Sequence, residues 1–100
     1  MGKNDRVSRI EQMERCFDAA RAALDDLDAA LQRYAEAEKD IDALAWYYDG
    51  GQWRNDFEAD EAGLLPATLK RDVLSEDGLW DLLTDDKELR RRMTEMAADK

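Results

Sequence analysis

Asp56, Glu58 and Asp60 place three carboxylates at alternating positions, the spacing with which a calcium-binding loop begins. Such a loop also needs glycine at its sixth position and a bidentate glutamate at its twelfth, and here those positions hold Glu61 and Ala67. On a helix, moreover, Asp56 and Asp60 share a face while Glu58 points elsewhere. The pattern reads as a solvated acidic face, and no metal ligands are assigned. Cys16 is the only cysteine and the chain has no histidine. A thiol with no imidazole to lower its pKa, lying among small residues on a helix face, is expected to be a small buried hydrophobe, not a nucleophile. Ser75-Glu76-Asp77-Gly78 lacks the glycine-rich run and the lysine of a phosphate loop, and Ser75 reads instead as a helix N-cap. These residue types predict no catalytic residue, no cofactor and no enzyme.

The chemistry that remains is recognition. Five of the eight aromatic residues fall between Trp46 and Phe57, beside the carboxylate run. Tyr47, Tyr48, Trp53, Arg54, Asp56, Phe57, Asp60 and Glu61 form the candidate partner-binding set, because Trp, Tyr and Arg dominate binding energy where they are desolvated at an interface. Trp53 and Asp60 are the pair whose substitution is expected to abolish binding. Arg54 is nearly alone among acids and is expected to pair with Glu58, one helical turn on, or with Glu61. Trp46, Tyr47 and Tyr48 cannot all face one side of a helix, so at least one should be partly exposed.

These residues need helices to hold them. From Ile10 the apolar positions recur three and four apart through Met13, Phe17, Ala20, Leu24, Leu27, Leu31 and Tyr34, meet Glu38, and resume at Ile41, Ala45 and Tyr48. Cys16, Ala23, Ala30, Ala37 and Leu44 widen that stripe with mostly small side chains. The spacing predicts one long helix over 6–47, with a coiled-coil seam that the shorter helices cover only in part. A homodimer through that seam, or a partner helix, is therefore expected. Asp49-Gly50-Gly51 should end the helix and reverse the chain. A short helix over 52–62 follows, stopped by Gly63, with Leu64 placed to pack back and Pro66 unable to continue it. Two C-terminal helices are predicted, over 76–83 and 85–97. The fold class is all-α, a long N-terminal helix followed by a turn and two to three shorter helices folding back as a helical hairpin or small bundle, in a single domain spanning 1–100.

Leu, Ile, Val and Phe account for only 18 of 100 residues and the net charge is −10, which on composition alone leans toward disorder. Fifteen alanines and the aromatics at helical spacing overrule that lean. The acid excess argues against direct nucleic-acid binding, which rewards a basic face. No apolar run approaches the length of a membrane span and the start lacks a secretory signal, so a cytoplasmic protein without membrane contact is expected. Between residues 36 and 66 nine acids face two bases, whereas Lys87-Glu88-Leu89-Arg90-Arg91-Arg92 is basic, so the middle and the end could pair within a fold or between copies.

The stretch Trp53-Arg54-Asn55-Asp56-Phe57-Glu58-Ala59-Asp60-Glu61-Ala62-Gly63-Leu64-Leu65-Pro66, followed by Leu69-Lys70-Arg71 and Val73-Leu74-Ser75-Glu76-Asp77-Gly78, resembles a small bacterial helical family known only as a domain of unknown function (DUF4298-like). The resemblance runs from about Ile10 to Met93 and departs at Asp72, where the family's pattern often has glycine. It implies a helical cytosolic protein and no activity. The expected function is a non-enzymatic interaction module, a small adaptor or regulator using the helical seam and the aromatic, acidic corner to hold a protein partner. The alternative is an acidic nucleic-acid mimic, in which Asp25, Asp26, Asp28, Glu36, Asp40 and Asp42 imitate phosphates to inhibit a nucleic-acid-binding enzyme.

Overall fold

The structure, a computed structural model, describes residues 2–99. It is all-helical among those residues. Helix α1 spans Gly2–Asp49, α2 spans Gln52–Glu61, a 3-10 turn covers Asp72–Leu74, and α3 spans Gly78–Ala98. The first helix is longer at both ends than the seam pattern predicts. No glycine or proline interrupts residues 3–49, so nothing in the chain stops the helix before the glycine pair. The chain divides into two units, Met1–Glu38 and Lys39–Lys100.

The first unit consists of α1 alone, and every residue from 4 to 33 is exposed. Its helix rests on local terms: abundant alanine, an Arg21–Asp25 ion pair at 3.1 Å and a Gln32 amide donating to Asp28 at 3.2 Å, each one turn apart. Such exposed pairs contribute only about 0.3–0.5 kcal/mol each. The seam residues Val7, Ile10, Met13, Phe17, Leu24, Leu27 and Leu31 are 43–66 % exposed. Cys16 is exposed as well, which corrects the expectation of a buried thiol: its face of the helix is regular, but no side chain packs over it to take it from water.

The second unit gathers the last turns of α1, α2, the 3-10 turn and α3. Gly51 adopts φ +90°, which leads the chain from α1 into α2 at no steric cost. At the far end of α2, Gly63 takes φ +74° and donates its N–H to the Asp60 carbonyl, while Leu64 donates to the Ala59 carbonyl, both at 3.0 Å. This pair of bonds satisfies two of the carbonyls that a helix end leaves open. Leu64 itself is 75 % exposed, against the expectation that it packs back; Leu65, the next residue, is half-buried instead. The core is small. Among the described residues, Leu74 on the 3-10 turn and Leu79 on α3 are those with less than a tenth of their surface exposed.

The two C-terminal helices predicted over 76–83 and 85–97 are one continuous helix. Thr84 and Asp85 are good caps but not breakers, costing a helix interior only about 0.5 kcal/mol each, and no glycine or proline follows Gly78. Arg90 reaches Asp86 at 3.2 Å and Arg91 pairs with both Glu88 and Glu95, so ion pairs run along the helix beyond the expected break. The Arg91 guanidinium holds the Glu88 carboxyl below its ordinary range. Among the described residues no helix is long and apolar enough to cross a membrane.

Candidate functional site

The corner is built by the chain's reversal at Gly50-Gly51, which brings the last turn of α1 against the first turns of α2. Tyr48 and Trp53 meet with ring centroids 5.0 Å apart and planes tilted by 52°. Trp53 and Phe57, one turn apart on α2, stack at 5.0 Å and 20°. Such contacts add about 0.5–1.5 kcal/mol each beyond the area they bury. The Trp53 indole N–H donates to the Val73 carbonyl at 2.8 Å, which ties α2 to the 3-10 turn twenty residues on. The Tyr47 hydroxyl donates to Asp56 at 2.6 Å. Partial burial, with the Asp56 carboxylate alongside, pushes the Tyr47 phenol from its ordinary value near 10 up to about 12, because both disfavour the phenolate.

Asp60, half-buried at the end of α2, pairs with Arg71. The same guanidinium donates to the Ala67 carbonyl at 3.2 Å and reaches the Pro66 carbonyl at 3.5 Å, so one side chain gathers the irregular segment between α2 and the 3-10 turn. Arg71 and Val73 are the site residues that composition and spacing did not single out. The Leu69-Lys70-Arg71 element of the family pattern was the available signal, but nothing in a lone arginine says which carboxylate it will meet. Asp72 sits at the start of the 3-10 turn without a positive φ, so the turn forms without the glycine of the family pattern. Its carboxyl is held below its ordinary range by the Lys70 ammonium.

Ser75 uses both ends of its hydroxyl on backbone. It donates to the Asp72 carbonyl at 2.9 Å and accepts from the Gly78 N–H at 3.2 Å. The serine thus satisfies the first amide of α3, as its N-cap reading predicts, although the helix begins later than expected and Asp77 occupies the cap position without a side-chain bond. A hydroxyl engaged in this way is a structural pin.

Of the predicted contact set, Tyr47, Tyr48, Trp53, Phe57 and Asp60 are half-buried and turned to partners within the unit, whereas Arg54, Asp56 and Glu61 are exposed. Trp46 is the aromatic that the geometry turns outward, at 69 % exposure. Arg54 makes no ion pair among the described residues; an exposed pair one turn along a helix gains too little in water to fix two long side chains. Asp56 and Asp60 do share a face of α2, and each is engaged by a neighbour. Among the described residues no group of three potential ligands could hold a metal ion.

Two open clefts flank the corner. One, of about 450 Å³, is walled by Leu44, Val73, Leu79 and Leu82, with Lys70 and Asp72 also lining it. The other, of about 490 Å³, lies between the end of α1 and α3, and brings Asp42 and Asp49 to the same cleft as Lys87 and Arg90.

Residues 10–96 match the family described as domain of unknown function (DUF4298), and the chain belongs to that family. No curated protein and no solved structure matches it.

Proposed function

Proceeding from a family that assigns no activity, we propose that this chain is a cytoplasmic, non-enzymatic protein-interaction module, an adaptor or regulator that holds a protein partner through its helical seam and its aromatic, acidic corner. The observation that carries the reading is the seam itself: seven large apolar side chains from Val7 to Leu31, all exposed, along one stripe of a helix. A contiguous apolar patch of more than a few hundred Å² is uncommon on a monomer's surface and marks an interaction surface. A helical hairpin or small bundle of the end of α1, α2 and α3 within residues 39–100 would build the corner; the Tyr48–Trp53 ring contact joins the end of α1 to α2, and the Trp53 bond to Val73 joins α2 to the 3-10 turn.

The contacts at the corner decide which substitutions test this. Trp53 and Asp60 hold the corner together, so changing them disturbs the fold along with any surface. Phe17→Asp on the seam, and Trp46→Ala combined with Arg54→Glu at the corner, alter exposed side chains only. Tagged protein is to be captured from its source cells at low and moderate salt, with helicity followed by circular dichroism. The reading expects a protein partner held at moderate salt and lost in one of these folded variants. Capture unaffected by both would overturn it, and salt-labile capture of nucleic-acid enzymes would favour mimicry by the acids of α1.

A further inference from the structure

We propose that the seam of residues 2–38 closes against a second copy of this chain in antiparallel orientation, with Leu24 packed on Leu27 of the second copy and Arg21 beside its Asp28. This names the seam's occupant and so rests on the interaction reading above.

The area is sufficient. In the register that sets Leu24 on Leu27, Met13, Phe17, Leu24, Leu27 and Leu31 face the second copy's seam, and side chains of roughly 150–210 Å² that are 43–66 % exposed leave on the order of 500 Å² of apolar surface on each. Two copies would bury roughly 1,000 Å², about the least that a specific interface needs.

Charge sets the direction of pairing. Residues 25–38 carry one base and five acids. Parallel pairing would lay this stretch on its own duplicate. Antiparallel pairing with Leu24 opposite Leu27 lays it instead on residues 13–26, which carry two bases and four acids, and aligns the two helix dipoles head to tail. One antiparallel register brings Leu24 opposite Leu27 and Ala20 opposite Leu31 of the second copy, large against large at the centre and small against large beside it. In that register Arg21 and Asp28 meet across the charged flank. Arg21 gives up little to do so, since its pair with Asp25 is exposed on both sides.

The two flanks of the seam agree with this direction. One carries the small residues Cys16, Ala23, Ala30 and Ala37, and the other the charges Glu14, Arg21 and Asp28. Antiparallel helices put like flank on like flank, so small meets small and the backbones approach closely. Parallel helices would put each small flank against a charged one.

The full chain is to be studied by sedimentation equilibrium, beside Arg21→Asp, Asp28→Arg and the double exchange. The expected result is a micromolar dimer, weakened roughly tenfold by each single reversal and restored to within about threefold by the double exchange. Both positions are exposed, and circular dichroism confirms that the variants keep their helix. Orientation is read from a spin label on Ser8→Cys in a Cys16→Ser background. Label pairs should lie roughly 55 Å apart in the antiparallel dimer and about 20 Å apart in a parallel one. A short distance, a failed rescue, or a monomer up to about millimolar concentration overturns the proposal. A monomeric chain that still captures a partner at Trp46 and Arg54 overturns self-pairing alone, whereas a chain that neither pairs nor captures overturns the interaction reading too.

Discussion

One helix runs through both units of this protein, and its apolar stripe meets two different fates. In residues 4–33 every seam position is exposed. From Ile41 to Tyr48 the same three-and-four spacing is half-buried at Ile41, Leu44, Ala45 and Tyr48. The residue types barely differ between the stretches, so amphipathic spacing does not decide burial. What differs is what the chain brings to each face. The late turns of α1 lie beside the reversal at Gly50-Gly51, which returns α2 to them at the cost of a two-residue turn. A helix's period fixes which face is apolar, and topology fixes whether that face is covered within the chain.

The largest test of this contrast is Leu79→Ala. With only Leu74 and Leu79 among the described residues nearly excluded from water, at 6 % and 3 % exposure, the second unit has no reserve. Removing Leu79 should cost about 3 kcal/mol. Urea unfolding followed by tryptophan fluorescence reads this directly, since all three tryptophans lie in residues 39–100. A loss below about 1 kcal/mol would mean that the second unit is as loosely covered as the first, and the contrast would fail.

Trp53→Phe keeps the ring contacts with Tyr48 and Phe57 but removes the donor to the Val73 carbonyl. The same unfolding measurement should show a loss of about 1–2 kcal/mol, the cost of a part-buried carbonyl left without its partner. A smaller loss, about 1 kcal/mol, is expected for Gly63→Ala, because the +74° φ suits glycine and strains any other residue. The space around that position is open, so the effect isolates backbone strain from crowding.

The contrast also explains what could be read from the sequence. The long helix, the glycine reversal, α2 and its stop at Gly63 were legible because each rests on local rules: period, φ and capping. Ser75 was legible as a capping residue for the same reason. The break expected between Leu83 and Asp85 was not real, because capping residues permit a helix start without requiring one. The link from Arg71 to Asp60 and the Trp53 bond to Val73 were hidden, since they join residues eleven and twenty apart through a segment without periodicity. Five of the eight candidate contact residues are half-buried, a point on which the sequence is silent. Trp, Tyr and Phe look alike in a sequence whether they anchor a partner or their own corner.

Alkaline titration reads the corner through Tyr47. Tyr47 holds its proton up to about pH 12, whereas it would lose it near 10 in an unfolded chain. The stability linked to Tyr47 is therefore fully present below pH 10 and is lost as pH rises from there through about 12. Phenolate absorbance should show a late step near pH 12, and Tyr47→Phe should remove both that step and the accompanying alkaline loss of stability.

The smallest expected effect is the sharpest control. Leu24→Ala on the seam removes the same atoms as Leu79→Ala in the core, yet Leu24 is exposed, and alanine is the best helix former. At dilutions where the chain is monomeric, helicity by circular dichroism should be unchanged or slightly raised, and stability should move by less than about 0.5 kcal/mol. At concentrations where two copies pair, the same substitution should weaken the dimer, because Leu24 then lies at the centre of the buried surface. A leucine whose removal matters only when a second molecule is present is a contact residue. One whose removal unfolds the isolated chain is core, and that outcome would mean that the exposed stripe of α1 is covered by its own chain in solution.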